Sequence, residues 1–253
     1  MTARFPSLPD LPPFGLNNTA LFLDFDGTLA DLADQPEAVR VPPDLVGVLH
    51  ALAQRLNGAL ALVSGRRLSD LDVFLAPLQL PTAAEHGAWR RLSSGELRGV
   101  SAPNWVPAVQ SAQALLRQHP ALRLEIKSSA LALHYRQAPA LENLCLQHLS
   151  RAVMTTPGVE ILQGKCVIEV KPLGVNKGHA IAAFMREPPF AGRTPWFAGD
   201  DTTDEAGFAW VRSAGGQCLK VGAGPSLARH RCASPQALRD WLSDHLTASH
   251  GQP

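Results

Sequence analysis

The short apolar run Ala20-Leu21-Phe22-Leu23 stops abruptly at Asp24-Phe25-Asp26-Gly27-Thr28, and no other junction constrains the chain as strongly. A run of that length without polar alternation suits a strand buried on both faces of a parallel sheet, and its end opens into a loop able to carry polar chemistry. The pattern recurs. From Asp44 to Asn57 the residues Leu45, Val48, Leu49, Leu52 and Leu56 fall at helical spacing, with Asp44 as the expected N-cap and Gly58 as the stop. Residues 59–63 read as a second buried strand, and Ser64-Gly65-Arg66 lies where that strand turns into a helix ending near Leu75.

The middle of the chain changes character. A helical stretch around Trp105, Val109, Ala112 and Leu116 precedes two strand-like runs, and in the second Leu131, Leu133 and Tyr135 alternate with Ala132, His134 and Arg136. A helix over about 141–153 leads to two strands, 159–162 and 167–171, joined by a turn at Gln163-Gly164-Lys165. After Lys171 the α/β rhythm resumes with a helix from Asn176 to Glu187, strands at 196–198 and 219–221, and a helix after Asp204. The expected fold is α/β. A discontinuous Rossmann-like parallel-sheet core over residues 1–95 and 174–253 is interrupted by a smaller α+β cap, or lid, at 96–173.

Composition narrows the partners. The 253 residues are 45% hydrophobic, enough to bury a sizeable core, and 23 Lys+Arg against 22 Asp+Glu leave no broad field for nucleic acid or an anionic membrane. A small molecule is the expected partner, with no nucleic acid and no membrane, and the expected assembly is a monomer or weak dimer. Cys145, Cys166, Cys218 and Cys232 are too widely spaced for a CxxC metal pair and read as reduced, mostly buried thiols. The proline-rich start lacks the apolar core of a signal peptide and no stretch is long enough to span a bilayer, so the expected location is the cytoplasm. Residues 247–253 read as a frayed tail.

Ligands of an open parallel sheet bind at the carboxyl ends of its strands. Three polar clusters fall at such ends: Asp24 to Thr28, Ser64-Gly65-Arg66, and Gly199-Asp200-Asp201. Gathered carboxylates repel one another unless a divalent cation lies among them, and an all-oxygen ligand set favours Mg²⁺. Asp24 is ionised at neutral pH and can attack phosphorus once that repulsion is cancelled. Asp26, two residues on, is placed to protonate a sugar alkoxide as it leaves and then to activate the water that cleaves the acyl phosphate. Gly27 permits the tight turn, Thr28 and Ser64 offer hydroxyls to phosphate oxygens, and Lys177 at a helix start supplies a fixed positive charge.

The string DFDGTLA at 24–30 resembles the DxDGT signature of the haloacid-dehalogenase-like phosphatases. The other motifs of that group follow in order as Ser64 in LVSGR, Lys177 in NKG and Asp200 in GDDTTDE. The resemblance implies Asp24 as nucleophile, Asp26 as acid/base, and Mg²⁺ held by Asp24, the Asp26 carbonyl oxygen and Asp200, with Asp201 or Asp204 behind them. A longer set of strings, including ALVSGRRLSDLD, EHGAWRR, ALHYRQAP, QGKCVIEVKP and NKGHAIAAFM, is similar to the bacterial trehalose-6-phosphate phosphatase family. That likeness implies hydrolysis of trehalose 6-phosphate, with Gly65 and Arg66 at the phosphate and Glu125, Lys127, Arg136, Glu169 and Asn176 holding sugar hydroxyls and phosphate.

Other readings stay open from sequence. Taken singly, each motif residue is ordinary turn or cap chemistry, and it is their conjunction that points to catalysis. Arg66 could pair with a core aspartate instead of phosphate, and His86 could satisfy local backbone. Asp31, Asp34 and Glu37 read as solvated surface acids. The core motifs alone do not separate this activity from a sucrose 6-phosphate phosphatase or a phosphomutase, and a non-catalytic phospho-receiver is the contrasting class.

Overall fold

Short apolar runs become strands because burial on both faces leaves no place for polar side chains, and the two halves of the chain outside the middle segment supply them in alternation with helices. In the computed structural model, residues 15, 17–33, 35, 38–100, 103–164 and 166–247 are described. The proline-rich start, the tail beyond 247, Asp34, Glu37 and the Lys165 of the expected turn lie outside the described residues. The contacts divide the chain into two units, one formed by the residues up to Arg98 with those from Asn176 onward, the other by Gly99–Val175.

The larger unit begins with β1 (Thr19–Leu23), α1 (Leu45–Arg55), β2 (Leu60–Val63), α2 (Leu68–Leu75), β3 (Thr82–Ala84), β4 (Trp89–Arg91) and β5 (Leu97–Gly99). The smaller unit follows with α3 (Val106–Gln118), β6 (Arg123–Ile126), β7 (Leu131–His134), α4 (Glu142–Met154), β8 (Val159–Gly164) and β9 (Val167–Pro172). The chain then completes the larger unit with α5 (Lys177–Phe184), β10 (Thr194–Gly199), α6 (Glu205–Ser213), β11 (Gln217–Val221), β12 (His230–Cys232) and α7 (Pro235–Thr247).

The main sheet runs β12-β11-β10-β1-β2-β3-β4-β5, parallel from β12 through β3. Strand β4 pairs antiparallel with β3, so the sheet is mostly rather than wholly parallel. The sequence reading passed over β3 to β5 because Thr82-Ala83-Ala84 and Trp89-Arg90-Arg91 are short and carry no apolar run. Later strands join on one side of β1 and earlier ones on the other, so the order reverses between β1 and β10. Loops on either side of that point diverge and leave a crevice at the strand ends.

The core of this unit fills both faces of the sheet. On one face Phe22 of β1 stacks on Phe190 at 5.4 Å and tilts against Phe184 of α5 at 6.1 Å, and its register partner Phe197 of β10 meets Phe208 of α6 at 5.2 Å; on the other face Trp196 of β10 stacks on Trp241 of α7 at 5.1 Å. Among the described residues no helix is long and apolar enough to cross a membrane. All four cysteines are free, three of them buried.

Two expectations about helix ends resolve differently. Asp44 precedes α1 but lies in helical conformation (φ −85°, ψ −19°), and its side chain makes no cap hydrogen bond. The Leu45 N–H is instead taken by the Pro42 carbonyl at 3.1 Å, a tight turn that leaves the carboxylate nothing to cap. At α5, by contrast, Asn176 is a true N-cap whose side chain accepts from the His179 N–H at 2.9 Å.

The smaller unit is a four-stranded antiparallel sheet, β6-β7-β9-β8, packed on α3 and α4. Alternation sorts its faces. Leu131, Leu133, Ile168 and Val170 join Ala112, Leu115, Cys145 and Leu149 in the core, whereas the paired positions Glu125, Ala132 and Glu169 form a single row on the other face.

Phe22 is fully buried. The substitution Phe22→Ala should lower unfolding free energy by about 3–5 kcal/mol through lost burial and the cavity left behind. Urea unfolding followed by tryptophan fluorescence and circular dichroism measures it, and a loss under about 1 kcal/mol would mean that the site collapses around the gap.

Candidate active site

Asp24 leaves β1 at its carboxyl end, where its N–H donates to the Ala198 carbonyl of the neighbouring β10 at 2.9 Å. Lys177 opens α5, and its ammonium donates to Asp24 Oδ1 at 2.7 Å and to Asp204 Oδ1 at 2.6 Å. All three side chains are buried, Asp204 completely. The second oxygen of Asp204 accepts the backbone N–H groups of Asp200 and Asp201, both at 2.9 Å. Asp204 therefore fixes the lysine with one oxygen and the Gly199-Asp200-Asp201 loop with the other. The sequence reading had set it behind the metal; the structure gives it a direct grip on Lys177.

Around this chain of charges the backbone comes unusually close. The Thr28 hydroxyl lies 3.2 Å from Asp24 Oδ2 and 3.4 Å from Asp200 Oδ1. Gly27 has φ +72°, and a Cβ at that position would sit 2.1 Å from Asp200 Oδ2. Any side chain there would displace the carboxylate, so the glycine is needed for space as much as for conformation. Carboxylate oxygens of Asp24, Asp200 and Asp204 lie within 4.8 Å of one another.

The electrostatics of this cluster are unbalanced. Burial pushes the Asp24 carboxyl well above its ordinary range, Lys177 opposes the shift, and Asp204 and Asp200 add to it. Burial, with repulsion from Asp204, raises Asp200 to about 6. Burial also works against the charge of Lys177, but Asp204 and Asp24 together outweigh it and the net shift is upward. Three carboxylates thus share one ammonium at the centre of the cluster. Their all-oxygen donor set and excess negative charge fit a hard divalent cation.

Asp26, the next acid of the motif, makes a bidentate ion pair with Arg66, both contacts at 2.7 Å. The guanidinium also lies over the Phe74 ring at 4.8 Å, and its own backbone N–H donates to the Ser64 hydroxyl at 3.2 Å. Of the two sequence readings for Arg66, the structure displays the pairing with a core aspartate. Ser64 is buried, and Gly65 beside it leaves room for the His86 ring, which a Cβ on Gly65 would approach to 2.6 Å. His86 donates its N–H to the Ser64 carbonyl and Glu85 donates to the Arg66 carbonyl, both at 2.9 Å, through two consecutive left-handed residues (φ 59° and 49°). His86 thus frames the Ser64 loop through its backbone.

Asp201 is exposed and caps the short 3-10 turn Thr202–Asp204, sharing a reciprocal capping box with Asp204. Asp31 is also at the surface, its side chain 69% exposed. The sequence reading missed Lys220 of β11, which is buried and donates its ammonium to the Asp200 carbonyl. Only its position between the apolar residues Leu219 and Val221 of a strand could have flagged it.

In the smaller unit, Lys127 Nζ donates to Glu169 Oε1 at 2.7 Å, and Glu125 Oε2 lies 3.1 Å from His134 Nε2. The His134 hydrogen bond holds the Glu125 carboxyl below its ordinary range, against the effect of burial and with help from Lys127. These residues form a polar patch on the face opposite the core. Arg136 lies beyond the end of β7 and is exposed. Asn176 belongs to the larger unit, where its side chain is occupied in capping α5.

Removing Asp204 leaves a buried ammonium with half its compensation and frees two loop N–H groups. Asp204→Ala should therefore lower stability by about 3–5 kcal/mol. Asp24→Asn also takes one charge partner from Lys177, but it removes a carboxylate that burial, Asp204 and Asp200 disfavour in ionised form and frees no loop N–H, so without metal it should lose clearly less stability than Asp204→Ala. Thermal unfolding in a chelator reads both, and equal loss in the two variants would contradict this account of the cluster.

The trehalose-phosphatase family matches residues 22–236 of the chain. The trehalose-6-phosphate phosphatase of Escherichia coli (strain K12) is 44% identical over 231 residues, covering 90% of this chain and 87% of that protein. A probable trehalose-phosphate phosphatase of Sinorhizobium fredii is 43% identical, covering 82% of this chain and 79% of its own length. Among solved structures, a trehalose-6-phosphate phosphatase related protein superposes with a TM-score of 0.73 at 27% identity, covering 91% of this chain and 98% of its own. The C-terminal domain of the Candida albicans trehalose-6-phosphate phosphatase superposes with a TM-score of 0.79 at 23% identity, a likeness of fold.

Proposed function

The chain belongs to the trehalose-phosphatase family, and on that premise we propose that it hydrolyses trehalose 6-phosphate with Mg²⁺ and through a phosphorylated Asp24. It is a phosphoric monoester hydrolase that yields trehalose and inorganic phosphate, the last step of trehalose biosynthesis. The observation that carries the mechanism is the buried Asp24–Lys177–Asp204 chain with Asp200 in ligand range.

Lys177 fixes one oxygen of Asp24, so the carboxylate is oriented before substrate arrives and its other oxygen is the one available for attack. As the bond from Asp24 to phosphorus forms, the bond from phosphorus to the sugar oxygen breaks, and Asp26 delivers a proton to that oxygen. Asp26 then accepts the proton of the water that releases phosphate from Asp24. To do either it must leave Arg66, whose guanidinium holds it in the structure. Thr28 and Ser64, with the backbone beside Gly65, are the proposed donors to the phosphate oxygens. Asp24, Asp200 and the Asp26 backbone carbonyl are the proposed holders of Mg²⁺, with Asp204 and Asp201 behind them. Bound there, the metal would neutralise charge on the incoming phosphate and on the carboxylates around it.

Substrate choice is assigned to the smaller unit. Glu125, Lys127 and Glu169 occupy one polar patch and can pair with sugar hydroxyls, Arg136 adds an exposed guanidinium, and Asn176 is the remaining candidate. The four free cysteines accord with the reducing cytoplasm as its location.

Phosphate release should require Mg²⁺, disappear in chelator, and fall by at least about 10³-fold in Asp24→Asn. Run beside sucrose 6-phosphate and glucose 6-phosphate, the assay should favour the trehalose ester; comparable rates on all three would withdraw the specificity. Glu125→Gln and Glu169→Gln should each reduce kcat/KM on trehalose 6-phosphate by about 10-fold or more while sparing p-nitrophenyl phosphate. Equal loss on both esters would remove these residues from sugar recognition.

A further inference from the structure

A buried lysine is expensive, and Lys220 is only 6% exposed on β11, a strand paired on both sides. The two strand neighbours on either side of it, Leu219 and Val221, are core residues. The register places Lys220 beside Gly199 of β10, the last residue before the Asp200 loop. Its ammonium donates to the Asp200 carbonyl oxygen. The peptide groups flanking Asp200 are therefore fixed from both sides, because the Asp200 N–H donates to Asp204 Oδ2 at 2.9 Å. The side chain between them projects against Gly27 and toward the Thr28 hydroxyl.

We propose that Lys220 is a positioning residue that holds the Asp200 carboxylate in its metal-binding orientation by anchoring the Asp200 carbonyl. The inference rests on the reading of Asp24 and Asp200 as metal ligands, and it adds a residue that touches neither substrate nor metal. A neutral donor would satisfy a carbonyl at lower desolvation cost, so the choice of lysine is best explained by what surrounds it: the excess negative charge of Asp24, Asp200 and Asp204 offsets the burial of a second cation. Lys177 and Lys220 then divide the work. One fixes the Asp24 and Asp204 side chains; the other fixes the backbone from which Asp200 extends. Residues that orient metal ligands in this way typically change metal affinity by about 10–100-fold when removed.

The test is Mg²⁺ binding by titration calorimetry to the full chain without substrate, for the parent, Lys220→Met and Lys220→Gln. Lys220→Met, which keeps length but loses the donor, should bind Mg²⁺ about 10-fold or more weakly. Lys220→Gln keeps an N–H donor without the charge and should recover most of that loss. Binding by Lys220→Met as tight as the parent, or tighter as simple removal of a nearby positive charge would give, overturns the inference. Should the methionine variant fail to fold, the glutamine variant decides alone: affinity within about threefold of the parent supports a positioning bond, and a loss of tenfold or more overturns it. Absence of Mg²⁺ binding by the parent chain would overturn the metal reading itself, an outcome distinct from equal binding by parent and variant.

Discussion

Lys177 lies between the carboxylates of Asp24 and Asp204 at 2.7 and 2.6 Å, and all three residues are buried. An ion triplet of this kind is held together only if each member is compensated, since an unpaired charge at that depth is far more costly than the triplet is favourable. The compensation dictates much of the local structure. Asp204 uses its free oxygen on two loop N–H groups, the loop then carries Asp200 toward Gly27, and Gly27 must lack a side chain for the carboxylate to fit. The triplet also places α5, because Lys177 is its first residue and Asn176 caps it.

Topology makes the triplet available. Asp24, Asp200 and Ser64 all follow the carboxyl ends of strands, and the reversal of strand order between β1 and β10 brings the first two into adjacent loops. Lys177 comes from a helix start rather than a strand end. The chain returns to the larger unit at Asn176, which caps α5, and the first helical residue, Lys177, reaches Asp24 and Asp204. Insertion in that position leaves the motif residues of the larger unit on either side of the smaller one.

Much of this was legible from residues alone. The burial of β1, β2, β10 and β11 followed from their apolar runs, and the acids after β1 and β10, ordinary turn or cap residues when taken singly, pointed to catalysis by their conjunction with Ser64 and Lys177. Less legible were features that depend on partners distant in sequence. Asp204 looked like one acid among several in GDDTTDE, and only its place beneath Lys177 separates it from the exposed Asp201. Arg66 read first as a phosphate ligand and only second as the partner of a core aspartate, since a guanidinium suits either, and the 2.7 Å bidentate pair with Asp26 needed coordinates. Lys220 was hidden because a lysine in a strand usually reads as an edge or exposed position. Strands β3 to β5 and β12, each three residues long, were lost for want of length.

The smaller unit obeys a different logic. Its polar patch is already paired internally, Lys127 with Glu169 and Glu125 with His134. If this patch holds the sugar as proposed, a sugar hydroxyl exchanges one set of hydrogen bonds for another, and the net gain per contact is modest. Discrimination does not need a large gain. A sugar lacking a hydroxyl at the right place would break a charged pair without replacing it and leave a partly buried carboxylate or ammonium unsatisfied, a penalty larger than the bond it forgoes. Under the proposed assignment, charged groups that hold one another in the free protein would select among sugars through the penalty for a poor match.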